Sequence, residues 1–156
     1  MEYLFQARLS FIGVACFAII FNAPSSLLIH CGAVGSIGWM IYYIFTEQGM
    51  DTVQASFLGA FVVAIGSHAL ARQFKKPMIV FNVAGIIPLV PGGIAYNAMR
   101  SAVENNYLDT IQYGLKAFLI SGSIVMGLVF AEVIMQLLFR MFRSGKSRYM
   151  RSADKK

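Results

Sequence analysis

The stretch Phe81-Asn82-Val83-Ala84-Gly85-Ile86-Ile87-Pro88-Leu89-Val90-Pro91-Gly92-Gly93-Ile94-Ala95-Tyr96-Asn97 decides how the rest of the chain is read. It is apolar enough for a membrane and too interrupted for one helix. Pro88 and Pro91 each remove a backbone donor and clash with the preceding turn. Gly92-Gly93 adds conformational freedom where the hydrogen-bond ladder is already broken. Met78 to Ile87 makes only about 15 Å of helix, half a bilayer core. The break is therefore expected near mid-membrane, with a second half-helix from about Ile94 to Val103. Broken backbone at that depth leaves N–H and C=O groups without partners, which is tolerated where they line a polar cavity. The N-terminal end of a half-helix presents free N–H groups and a positive dipole end to an anionic group. That end is Gly92–Ala95, with Asn97 one turn on and Asn82 on the approaching half. The candidate substrate-binding set is thus Asn82, Pro88, Pro91, Gly92, Gly93 and Asn97. A proline-kinked helix packed against its neighbours is the plainer alternative. Two prolines, the Gly92-Gly93 pair and two asparagines between Asn82 and Asn97 favour the cavity.

Working outward, the whole chain reads as membrane. Of 156 residues, 58% are hydrophobic and 13% charged, the latter about half the fraction usual in soluble domains. The mean hydropathy is +0.66. Neither a solvated globule nor a disordered chain has this composition. Five crossings are expected, since each needs about 20 apolar residues: Tyr3–Asn22, Leu27–Phe45, Thr52–Ala71, the broken Met78–Val103, and Leu115–Phe139. The fold class is all-α, a polytopic helical domain over residues 1–142 with a basic cytoplasmic tail over 143–156. Arg72, Lys75, Lys76 and the residues from Arg140 onward belong on the cytoplasmic side, and Glu47, Asp51, Glu104 and Asp109 on the other. The N-terminus lies outside in this scheme. Tyr3–Phe21 lacks a basic leader and Pro24 blocks a cleavage site, so it is expected to be retained as the first helix.

Small residues recur at helical spacing: Ser56, Ala60 and Ala64; Ser123, Gly127 and Ala131; Gly32, Gly35 and Gly38. Such rows let helix backbones approach closely in lipid, within one bundle or between subunits. Glu132 is the ionisable residue furthest inside a span, about 12 Å from the basic end of the last helix. It is a candidate for proton coupling, or else a satisfied structural hydrogen bond. His30 and His68, near helix ends, read as interfacial. Cys16 and Cys31 fall in apolar stretches without metal-ligand spacing and read as small hydrophobes. The net charge of +6 is gathered beside apolar segments, which fits anionic headgroups better than nucleic acid. No nucleophile elbow, zinc-binding helix motif or phosphate loop is present, so neither an enzyme nor a cofactor or metal is expected.

Three motifs carry a family resemblance. Phe17-Ala18-Ile19-Ile20-Phe21-Asn22-Ala23-Pro24, then Gly35-Ser36-Ile37-Gly38-Trp39, then Phe81-Asn82-Val83 leading into Ile87-Pro88-Leu89-Val90-Pro91-Gly92, resemble the threonine/serine exporter family. More narrowly they resemble its small stand-alone subunit, of YjjB type. The resemblance covers nearly the whole chain up to Arg143. It implies work beside a larger YjjP-type subunit that carries its own helices and a cytoplasmic N-terminal region. It also implies secondary export of small hydrophilic metabolites, namely threonine and serine in some branches and succinate in another. The start of the chain, with no soluble domain before the first helix, matches the small subunit. No binding residues come with the resemblance. The expectation is therefore a two-component exporter in the cytoplasmic (inner) membrane. A non-transporting scaffold subunit and a homo-oligomeric channel are the alternatives.

Overall fold

A computed structural model describes residues 2–153, with side chains through Arg140. The expected basic tail, 143–156, has its side chains outside the described residues. The described chain is all-α. Helices α1 (Glu2–Ile20), α2 (Leu28–Glu47), α3 (Thr52–Phe74), α4 (Met78–Ile86), α5 (Gly92–Val103) and α6 (Tyr107–Ala153) follow in order, with 3-10 turns at Ser25–Leu27 and Ile87–Leu89. Four helices are long and apolar enough to cross a membrane, and the bent pair Met78–Leu89 and Gly92–Val103 makes a fifth span if read as one. The last helix starts at Tyr107, eight residues before the expected Leu115, because the polar residues Asp109, Gln112 and Lys116 interrupt apolarity without breaking a helix.

Turns form where left-handed backbone is available. Asn22 and Asn105 take positive φ of 55° and 59°, a conformation that short polar side chains tolerate. Lys75 takes φ 51° as the C-cap of α3, with its N–H on the Ala71 carbonyl. Pro24 and Pro77 then precede the next helical segments.

The rows of small residues are spent inside the molecule. Ser56, Ala60 and Ala64 are all fully buried, and α6 lies against them. The Ser123 hydroxyl donates to the Val53 carbonyl. At Gly127 a Cβ would meet the Phe57 carbonyl oxygen at 2.6 Å, so only glycine allows this approach. Phe57 and Phe130 meet edge-on at 6.2 Å. At the far end the Arg72 guanidinium lies 3.5 Å from the centre of the Phe139 ring. On α2, a Cβ at Gly32 would lie 2.8 Å from the Phe11 ring of α1, and one at Gly38 would run into Val63 of α3.

These pairings fix a direction. Val53 with Ser123, Phe57 with Gly127 and Arg72 with Phe139 ascend together, so α3 and α6 run parallel. The segment between them must carry the chain back along the bundle. α4 does the first part, packed among α1, α2 and α3. The chain then bends by 51°, and α5 leans away to pair with the first part of α6. Met78–Leu89 rises about 18 Å, and α5 projected across the bend adds about 11 Å, together close to a bilayer core.

The candidate site at the helix break

The break falls where the prolines require it. α4 ends at Ile86, a 3-10 turn covers Ile87–Leu89, Val90 is extended, and α5 begins at Gly92. The second half-helix thus starts two residues before the expected Ile94. Pro91 caps α5 without a side-chain hydrogen bond. The Gly92 N–H turns back to the Val90 carbonyl at 2.8 Å, and the Ala95 N–H reaches the Pro91 carbonyl at 3.0 Å. Gly93 and Ile94 belong to the first turn, whose N–H groups have no helical acceptor. A side chain at Gly92 or Gly93 would meet nothing within 4 Å.

Because α4 stays with the bundle and α5 leans off with α6, a wedge opens between them. It forms a cavity of about 380 Å³ walled by Trp39 and Tyr42 of α2, Ser56 of α3, Pro88 to Pro91, Gly93, Ile94, Tyr96 and Asn97, and Ile120 of α6. None of these side chains is ionised. Ser56 is fully buried and its hydroxyl donates to the Thr52 carbonyl at 2.7 Å, so it serves as wall. The polar groups left are the Asn97 amide, the Tyr42 and Tyr96 hydroxyls and the start of α5.

A second cavity, of about 280 Å³, lies on the α1 side of the break. Gln6, Leu9, Ser10, Gly13, Val14 and Phe17 line it together with Trp39, Ile87 and Pro88. The Trp39 indole N–H donates to Gln6 Oε1 at 3.3 Å, and its ring lies 5.2 Å from that of Tyr42. The Ser10 hydroxyl is buried without a hydrogen-bond partner.

Of the residues expected to bind substrate, Pro88, Pro91, Gly93 and Asn97 come together at the first cavity. Gly92 sits beside them, exposed. Asn82 does not line it; it sits within α4, its Oδ1 buried and without a partner. His30 Nδ1 and His68 Nε2 are also buried without partners among the described residues, and His30 packs edge-on to Phe74 at 4.4 Å. Glu132 points outward from α6, with the Gln136 amide donating to its Oε1 at 3.3 Å. Trp39 and Tyr42 are cavity residues that spacing alone did not select as ligands, since their helix reads as an ordinary span.

The family described as Threonine/Serine exporter, ThrE, matches residues 6–134, which take in both cavities and the break. This chain belongs to that family. It is a multi-pass membrane protein. A curated relative, an uncharacterized protein of Haemophilus influenzae, is 29% identical over 144 residues, covering 89% of this chain and 48% of the relative. The chain therefore spans about half the length of this relative. No solved structure matches this exporter-family chain.

Proposed function

We propose that this chain is the small membrane subunit of a two-component secondary exporter of carboxylate-bearing metabolites, threonine and serine or succinate. The observation that carries the reading is the uncapped start of α5 at the wall of an uncharged cavity within a bent membrane span. Free N–H groups and the dipole end suit a carboxylate. Asn97 and Tyr42 supply further hydrogen bonds, and the absence of ionised walls keeps release affordable. Asn82 lies on the approach from the basic end. Glu132, about 12 Å inward from Arg140, couples transport to protons once a neighbouring subunit covers it, since lipid alone would penalise the carboxylate.

Three observations support a partner of YjjP type. The matched relative carries about as much chain again outside the match. α5 packs on α6 and leaves the cavity wall between itself and α2 and α3 without a further helix among the described residues. The outward face of α6 bears Glu132 and Gln136 amid apolar residues. The small-residue rows argue against a pure scaffold, because they are occupied by packing within the chain. In this reading the C-terminus is cytoplasmic in the inner membrane, because the Arg72–Lys76 loop and the Arg140 end share one end of the bundle, held by Arg72 on Phe139.

The test is uptake of labelled threonine, serine and succinate into inverted vesicles under a proton gradient, with this chain, the larger subunit, or both. Uptake only with both is the expected result, and it names the substrate. Uptake with this chain alone would point to a self-assembled channel. Silence with a demonstrated complex would favour the scaffold.

A further inference from the structure

Trp39 and Pro88 are the residues that line both cavities. Everything else on the α1 side belongs to one compartment and everything else on the α5 side to the other. Trp39 sits about 12 Å from the Glu47 end of α2, at the depth of the break. Its indole is tethered on one side, by the Gln6 hydrogen bond of 3.3 Å, and rests on Tyr42 on the other. The tether is one neutral, rather long hydrogen bond, the weak kind within membrane bundles. A ring held so weakly can turn. Pro88 is fixed by its own ring and by the 3-10 turn around it.

Polar groups continue past this partition. Gln6 and Ser10 face the α1 compartment, one turn apart on α1, and the Ser10 hydroxyl has no partner among the described residues. A crevice meant only for acyl chains has no use for such a pair. We infer that the two cavities are compartments of one solute path and that Trp39 is its gate, closed by the Gln6 tether and opened when the indole swings off it. The inference rests on the exporter reading for the identity of the solute, but the wetness of the partition can be measured without it.

Trp39 is the sole tryptophan of the chain, so its fluorescence reports this site alone. In vesicles containing the full chain, quenching by aqueous acrylamide is compared with quenching by brominated lipids. Acrylamide quenching several-fold stronger than that by brominated lipids is expected, and at least doubled in Gln6→Leu, which releases the indole. Dominant quenching by brominated lipids would overturn the gate, whatever the chain transports. In vesicles with both subunits, Trp39→Ala is expected to raise passive leak of substrate about tenfold, while Trp39→Phe, which keeps a ring, stays within about twofold of native. Equal leak in native and Trp39→Ala vesicles that do transport would also overturn it. Absence of transport in native vesicles counts against the exporter reading, and the quenching comparison still decides the partition.

Discussion

Gly127→Ala tests the packing on which the site depends. Its new Cβ would lie 2.6 Å from the Phe57 carbonyl oxygen, 3.2 Å from Ala60 Cβ and 3.2 Å from the Phe61 nitrogen. Two of these are backbone atoms of α3, which cannot rotate away as a side chain could. Relief requires α3 and α6 to part by roughly 0.8 Å to regain ordinary contact, about the strain that overpacking imposes at 1–3 kcal/mol. Parting the helices also loosens the Ser123 to Val53 hydrogen bond, worth about 0.6 kcal/mol in membrane bundles. Against this, alanine is a better helix former than glycine by about 1 kcal/mol. The net loss is about 0.5–2.5 kcal/mol. Gly122→Ala is the matched control, on the same helix with nothing within 4 Å of its Cβ, and is expected to be neutral or to stabilise by up to about 1 kcal/mol. The assay is unfolding of the purified chain from mild micelles by a denaturing detergent, followed by helical circular dichroism. Gly127→Ala should unfold well before both native and Gly122→Ala. Equal midpoints for the two variants would refute the close α3–α6 approach.

Gly92→Leu is expected to insert and fold as native does, because the space around it is open, yet to abolish uptake in the two-subunit vesicles; near-normal uptake would remove the start of α5 from the site. Asn97→Ala, losing one hydrogen bond of about 0.5–1.5 kcal/mol, should raise KM about two- to twelvefold with little change in folding; an unchanged KM would mean that the amide does not touch substrate. Glu132→Gln keeps the shape and the Gln136 neighbour but removes the titratable group, so uptake should lose its dependence on the proton gradient while exchange down a substrate gradient continues; full gradient-driven uptake would acquit Glu132. Lys75→Gly should stabilise the chain by about 1 kcal/mol, since glycine adopts φ 51° without the Cβ clash, and a lower unfolding midpoint would count against that turn.

Much of the fold was legible in residue order because its signals are local. A membrane admits only segments that satisfy their own backbone, so apolar length marks spans, and Pro88, Pro91 and Gly92 mark the place where one span must fail. The parallel run of α3 and α6 was not legible, because it depends on which small-residue row meets which. Nor was the exclusion of Asn82 from the cavity, although it stands closer in sequence to Pro88 than Asn97 does. A bend of 51° sends α5 toward α6 and leaves Asn82 behind in the bundle. Glu132 looked inward by depth alone, and the direction of its side chain followed from the Ser123, Gly127 and Ala131 face turning toward α3.

The sequence by itself determined the solvent, the number of apolar segments, the location of the break and the family, since each rests on composition or short-range chemistry. Tertiary structure alone decided that the wedge beyond the break is a cavity, that Trp39 and Tyr42 wall it, and that a second cavity meets it across Trp39 and Pro88. Those facts require helices distant in sequence to be set at particular angles, and in lipid the angles come from side-chain contact across helices, which no periodicity within one helix records.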